Sequence, residues 1–120
     1  MALDVKGIRE EVLQLHAQIC SGLADPNRIL LIYNLADGPK NVNELVSSLE
    51  LTQSSVSRHL KVLRERGIVR ASRDGQSVFY SLTDKRIIQA LDLLRMVMAE
   101  SLQNQASMVS NAFNQQAGKY

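Results

Sequence analysis

The hydrophobic positions of this chain follow helical spacing near both ends. Apolar residues recur at intervals of three or four positions at about 4–21 and again at about 84–105, which predicts an amphipathic helix in each range. The first apolar stripe consists of Val5, Ile8, Val12, Leu13, Leu15 and Ile19. The second consists of Ile87, Ile88, Leu91, Leu94, Met98 and Leu102.

Start and stop signals divide the middle of the chain into three shorter helices. Asp25-Pro26 supplies a capping carboxylate and a proline suited to the first helical position, and Asp37-Gly38-Pro39 ends that helix. A short helix is predicted to begin near Asn43 as its cap, and a longer one to begin after Thr52. The last two helices, at about 43–66, form a helix-turn-helix.

After Gly67 the spacing of apolar residues becomes alternating. Two β-prone runs, 68–73 and 77–82, flank Asp74-Gly75-Gln76, and Asp-Gly between such runs predicts a β-hairpin. We therefore expect a small wing at about 68–82 that comes directly after the helix-turn-helix.

These elements predict a mainly α protein with a small β-hairpin wing, that is, a winged helix-turn-helix with about five helices. The 120 residues suffice for one core, so we expect a single domain over 1–110. The end of the chain is rich in Gln, Asn and Ser, which predicts a polar tail over 111–120.

The helix that begins after Thr52 separates into two faces. Three aliphatic residues fall on one side and are predicted to enter the core: Val56, Leu60 and Leu63. The opposite side carries Ser54, Ser57, Arg58 and Lys61. Short hydroxyls let a backbone approach a DNA groove, and Arg58 is long enough to reach a guanine edge or a phosphate. This division alone does not distinguish a DNA-binding helix from an ordinary surface helix. The DNA interpretation is favoured because this helix is the second of a tight pair and is followed directly by a basic hairpin.

Positive charge is concentrated in the same part of the chain. The segment from Thr52 to Tyr80 carries +4 while the whole chain carries +2, which predicts a polyanionic partner. At the wing, Arg73 and Gln76 are candidates for the DNA backbone or minor groove. For His59, at the edge of the buried face, local packing is the alternative to DNA contact. The full predicted contact set is Thr52, Gln53, Ser54, Ser55, Ser57, Arg58, His59, Lys61, Arg73 and Gln76.

Four blocks resemble the ArsR/SmtB family of winged-helix repressors: 23–28, 42–45, 54–69 and 73–82. The third reads Ser-Ser-Val-Ser-Arg-His-Leu-Lys-Val-Leu-Arg-Glu-Arg-Gly-Ile-Val, and the similarity extends over about 12–97. The resemblance implies a homodimer through the first and last helices, whose apolar stripes one small core would hardly bury. It also implies double-stranded DNA as partner, a roughly palindromic operator with half-sites about one helical turn or a multiple of it apart, and repression relieved by an inducer.

The sequence departs from the metal-binding patterns of that family. A thiol site there uses Cys-x-Cys after Glu-Leu, whereas this chain continues with Val46-Ser47-Ser48. The site on the last helix pairs Asp and His with a further His and an acid. Here Asp84 and Glu100 remain, but Arg86 and Val97 replace the histidines, and a guanidinium cannot ligate a cation. We therefore expect neither metal site and no cofactor.

His16 and Cys20 are candidates for a different sensing site, one that responds to a metal or through the thiol. They lie four residues apart on the first helix, and two such pairs at a dimer interface would supply four ligands, making a metal- or thiol-responsive regulator. The structural alternative makes Cys20 a small buried apolar group and His16 a surface or interface residue. A single cysteine excludes an intrachain disulfide, although it allows a bridge to a second subunit or a persulfide. The inducer stays unassigned.

The sequence has no Gly-rich phosphate loop, no Ser/His/Asp arrangement in a recognisable context and no paired carboxylates in a predicted cleft, so we do not expect an enzyme. It has no apolar run of about 18 residues and no signal-peptide order at its N-terminus, which predicts a cytoplasmic protein without a membrane partner. A winged-helix module that docks another protein is the remaining alternative. Arg58, Lys61 and Arg73 argue against it.

Overall fold

The computed structural model describes residues 5–117, with side chains described as far as residue 111. The described residues form five α-helices and one antiparallel hairpin, which confirms the predicted fold class. The helices are α1 (Val5–Leu15), α2 (Pro26–Asn34), α3 (Val42–Leu49), α4 (Gln53–Glu65) and α5 (Arg86–Ala117). The strands are β1 (Val69–Asp74) and β2 (Ser77–Leu82). The chain divides into two compact units, the first ending at Lys85 and the second containing α5.

The first predicted helix continues past α1 as one π-helical turn, His16–Cys20. This turn is fastened to the end of α4 by two hydrogen bonds. Arg66 Nη1 donates to the carbonyl of Ala17 at 3.0 Å, and Gln18 Nε2 donates to the carbonyl of Arg66 at 3.1 Å. The bonds span 49 and 48 residues, so they tie the entry of the chain to the far end of the helix-turn-helix.

The predicted cap of α2 is confirmed, because the Asp25 carboxylate accepts a hydrogen bond from the Asn27 amide at 2.8 Å. The predicted cap of α3 is wrong by two residues. Asn41, not Asn43, accepts from the Glu44 amide at 2.9 Å. Asn41 has extended backbone angles (φ −87°, ψ 170°), which aim its side chain over the first turn, whereas Asn43 already lies inside the helix.

The core of the first unit lies where α2, α3 and α4 meet. Leu31, Ile32, Leu45 and the inner side of α4 are fully buried there, and Ile68, Val69 and Leu82 close it below the hairpin. Helix α4 ends as predicted at Gly67, which has φ +75°. Its amide bonds the Arg64 carbonyl and the Ile68 amide bonds the Leu63 carbonyl, a Schellman termination that turns the chain directly into β1.

The hairpin confirms the predicted wing. Val69 pairs with Leu82 and Asp74 with Ser77, leaving Gly75 and Gln76 as a two-residue turn. Gly75 has φ +64°, as the first central position of a type II′ turn requires. Backbone bonds between Lys40 and Tyr80 in both directions, at 3.0 and 2.8 Å, hold β2 to the segment that enters α3. The wing is therefore anchored on both sides.

Helix α5 is longer than the sequence pattern predicts. It runs to Ala117 instead of ending near 105, so most of the predicted polar tail is helical and only residues 118–120 of that tail lie outside the described part. The Gln, Asn and Ser residues of this segment lower hydrophobicity but do not break a helix, and no Gly or Pro occurs between Lys85 and Gly118. Across the described residues, no helix is long and apolar enough to span a bilayer.

Candidate nucleic-acid interface

The two faces of α4 are separated as predicted. Val56, Leu60 and Leu63 each have 0% exposure. The residues on the opposite side are all exposed: Gln53, Ser54, Ser57, Arg58 and Lys61. Buried aliphatic side chains hold the helix in the core while its polar side projects into solvent. The result is a rigid display of hydroxyls near the helix start and cations further along.

The start of α4 depends on Thr52, whose Oγ1 accepts a hydrogen bond from the Ser55 amide at 3.1 Å. Just before it, Glu50 adopts a left-handed conformation with φ +54°, a region usually occupied by Gly or Asn. This tight reversal leaves only Leu51 and Thr52 between Glu50 and the first residue of α4. Sequence patterns do not indicate the reversal, because no glycine marks the turn.

His59 does not lie on the exposed side of α4, which corrects its place in the predicted contact set. It is only 5% exposed. Its Nδ1 lies 3.3 Å from Arg28 Nη1, and its Nε2 lies 4.0 Å from an Asp25 carboxylate oxygen. Because a guanidinium can only donate, Nδ1 must accept, which leaves the ring proton on Nε2. The packing alternative therefore describes this residue.

Arg28 continues the same network to the end of the first helix. Its Nε donates to the Gly22 carbonyl at 2.7 Å, and its Nη2 donates to the Ser21 carbonyl at 3.3 Å. One guanidinium thus serves carbonyls at a helix end and the buried imidazole of His59, which lies on α4. His59 and Arg28 therefore hold the inner side of α4 against the rest of the first unit.

The wing tip presents its two predicted contact residues, Arg73 and Gln76, to solvent. Gln76 and Gln53 line a common polar depression, whose other walls include Asn41 and Asn43. Two predicted contacts from different elements are therefore brought to one place. Asn43 was not in the predicted set, and only its tertiary position next to these glutamines points to it.

Arg64 is a second residue that the sequence interpretation missed. It is exposed in the last turn of α4 and lines a depression together with Arg73 of the wing. Helical spacing places it about 60° from Lys61, at the edge of the outer face. The path of the hairpin, and not the pattern of α4, brings the two arginines together.

Comparison with known proteins identifies the family of this chain. Residues 25–71 match the family model described as "Bacterial regulatory protein, arsR family". The HTH-type transcriptional regulator Rv0081 of Mycobacterium tuberculosis is 34% identical over 103 residues, which cover 85% of this chain and 90% of that protein. This chain belongs to the ArsR family. It is a DNA-binding transcriptional regulator and not an enzyme.

Another relative and two solved structures are consistent with this family and with the winged helix-turn-helix fold. The HTH-type transcriptional regulator NmtR of M. tuberculosis is 40% identical over 82 residues, covering 66% of this chain and 68% of that protein. The crystal structure of Rv0081 superposes with a TM-score of 0.70, covering 79% of this chain and 96% of that chain at 34% identity. The homodimeric winged helix-turn-helix DNA-binding domain of Mb0332 from Mycobacterium bovis superposes with a TM-score of 0.69 at 23% identity, covering 86% and 93%. The last likeness concerns the fold alone.

In this ArsR-family chain the candidate sensing residues, His16 and Cys20, both lie in the π-helical turn and both are exposed. Cys20 is a free thiol that is exposed within one subunit, so it does not fill the core of that subunit. Among the described residues, no group of three or more His, Cys, Asp or Glu side chains is placed to hold a metal ion. A four-ligand site at this pair needs a second subunit.

Proposed function

We propose that this ArsR-family protein is a homodimeric repressor that reads a specific operator with α4 and leaves it when an inducer binds. One observation carries the proposal: Ser54, Ser57, Arg58 and Lys61 project from a helix whose opposite side is fully buried. The helix position is thereby fixed before DNA arrives, so binding does not have to order it. A regulator of chromosomal genes acts in the cytoplasm, where we place it.

The contact set that we propose is exposed except for Ser55, which is half-buried. Base edges are read from the first two turns of α4, where short hydroxyls allow close approach, and by Arg58, which can bond a guanine bidentately. Lys61 and the wing residues hold the backbone. Without His59, the set contains Thr52, Gln53, Ser54, Ser55, Ser57, Arg58, Lys61, Arg73 and Gln76.

We propose that α1 and α5 provide the dimer contacts. Five large apolar side chains on α1 are exposed, and so are eight on α5. Among them, Val12 is 52% and Leu94 62% exposed, which is unfavourable unless a second copy covers them. The homodimeric domain of Mb0332 supports this assembly. Two-fold symmetry then favours a roughly palindromic operator.

Replacing Leu94 with Ala tests the dimer. We expect the dimer to dissociate at roughly tenfold to a hundredfold higher protein concentration, because each subunit loses buried methyl and methylene groups worth about 0.8 kcal/mol each. Sedimentation velocity over a concentration series measures this. Leu30→Ala is the matched control, since Leu30 is 49% exposed but lies on α2. Equal sedimentation of both variants and the wild type would contradict an interface at Leu94.

We propose that the inducer is not a metal ion bound at either of the two metal sites known in the family. Val46, Ser47 and Ser48 offer no thiolate, and the guanidinium of Arg86 repels a cation. The remaining candidate for sensing is the exposed pair His16 and Cys20, for which the described residues supply no further ligand within one subunit.

Arg58→Ala is the direct test of DNA reading. After selection of bound genomic fragments, we expect the variant to bind the selected operator about fivefold to 150-fold more weakly for each half-site, since a bidentate guanine contact contributes roughly 1–3 kcal/mol. Binding to random duplex should weaken much less. Fluorescence anisotropy at fixed salt measures both constants.

Arg70→Ala is the control for Arg58→Ala. It also removes an exposed arginine, but one whose Nε donates to Ser81 Oγ at 3.3 Å within the hairpin. An equal loss on operator and random DNA in Arg58→Ala would make Arg58 a phosphate contact. No loss on either duplex would sink the proposed reading helix.

A further inference from the structure

A cleft between the last turn of α4 and strand β1 carries arginines from both elements. Arg64 and Arg73 line it together with Ser72, and Ala71 and Val78 complete its wall. Its volume is about 200 Å³. That is room for roughly six water molecules, at about 30 Å³ each. A group of the size of a phosphate fits easily.

Both guanidinium groups in this cleft are uncommitted. Within the described residues, neither Arg64 nor Arg73 makes a side-chain hydrogen bond or ion pair. The neighbouring Arg66 and Arg70, by contrast, each donate a hydrogen bond to another part of the first unit. The two cleft arginines therefore keep their donors for an external acceptor.

No carboxylate neutralises the cleft from inside, because none is among the described residues that line it. Glu65 comes after Arg64 in the helix and Asp74 after Arg73 in the strand. Consecutive residues point in different directions in both kinds of element, so neither acid shares the direction of its arginine. Two cations facing one cleft without a counter-charge favour an anion, and a guanidinium fork matches the oxygens of a phosphate.

The position of the cleft indicates which phosphate enters it. A recognition helix in the major groove and a wing at the adjacent minor groove lie on opposite sides of one sugar–phosphate strand, since that strand separates the grooves. The space between helix and wing must then face this strand. We propose that Arg64 and Arg73 form a shared site for one DNA-backbone phosphate at the boundary between the two grooves. This proposal rests on the proposed function, because it needs α4 to occupy the major groove.

Such a site fixes the helix and the wing to the same point of the backbone. It carries no sequence information, so it strengthens operator and random DNA equally. It also differs from a charged surface in general, since the two arginines act on one phosphate and their effects are not additive.

The test uses the double variant Arg64→Gln/Arg73→Gln and a labelled duplex of random sequence. Full-length protein is titrated by anisotropy at several KCl concentrations. We expect affinity at about 0.1 M KCl to fall roughly tenfold or more, and the slope of log K against log[KCl] to become less steep by about 2 per dimer, one phosphate per subunit. Circular dichroism and the melting temperature should match the wild type, because both residues are exposed.

Arg70→Gln removes the same charge from the same strand and should leave the slope unchanged. A slope decrease of about 4 per dimer in the double variant would mean two separate phosphates and overturn the shared site. A wild-type slope in the double variant would also overturn it, since the cleft would then hold no backbone phosphate. An equal decrease in Arg70→Gln would reduce the effect to general charge. Wild-type protein that binds no DNA would instead refute the proposed function.

Discussion

Raising KCl from about 50 to about 200 mM is expected to weaken operator binding by roughly a thousandfold or more. The reason is the number of unpaired cations on the side that is proposed to contact DNA. Among the described residues, Arg58, Lys61, Arg64 and Arg73 are exposed and make no internal ion pair. Because Arg64 and Arg73 are proposed to share one phosphate, the four cations neutralise about three phosphates per subunit and about six per dimer, the lower end of the range of about six to ten that produces such a loss. The expected slope of log K against log[KCl] is about −5.

Anisotropy titrations with the selected operator measure this slope. Sedimentation at the same salt concentrations serves as control, so that a change in dimerisation is not taken for a change in DNA contact. A loss of less than about tenfold across this range would mean that only one or two phosphates are contacted. The basic face would then be an ordinary solvated surface. Such a result would favour the alternative that the winged helix docks another protein.

Leu31→Ala is expected to destabilise the folded protein by about 2–5 kcal/mol. Leu31 has 0% exposure at the centre of the first unit. Its truncation removes apolar contacts and leaves a cavity that close-packed neighbours fill only partly. The same truncation at Leu30, one residue earlier on α2 and 49% exposed, should cost less than about 1 kcal/mol.

Urea denaturation followed by circular dichroism compares the two variants with the wild type. All samples need the same protein concentration, because a dimer gains apparent stability from mass action. If Leu31→Ala and Leu30→Ala shift the midpoint equally, the core is not organised around α2 as the structure has it. The pair is informative because the chemistry of the substitution is identical and only the burial differs.

Local chemistry explains which parts of the fold were predictable. The Asp25 cap, the Gly67 termination and the Asp74-Gly75 hairpin depend on residues within a few positions of each other, and all three were predicted correctly. The buried side of α4 also came from spacing alone, since a helical period fixes which residues share a face. The same reasoning placed Ser57 and Arg58 outward.

Several features depend on contacts that no local pattern encodes. Asn41 takes the capping role from Asn43 because of its backbone angles. The π-helical turn has no composition of its own, and it meets Arg66 across 49 residues. Helix α5 continues to Ala117, beyond the predicted end, because the polar residues of its last turns do not break a helix.

Periodicity, caps and turn residues act over short distances, and they were enough to predict the five helices, the wing and the polar face of α4, while the resemblance of four sequence blocks predicted the family. Packing between distant segments was needed to show that His59 faces Arg28 inside the subunit and that Arg64 shares a cleft with Arg73. Both His59 and Arg64 lie at the edge of a helical face, where spacing leaves the direction ambiguous. Helix α2 packs against His59 and buries it, whereas the hairpin lies beside Arg64 and forms the cleft that Arg64 lines.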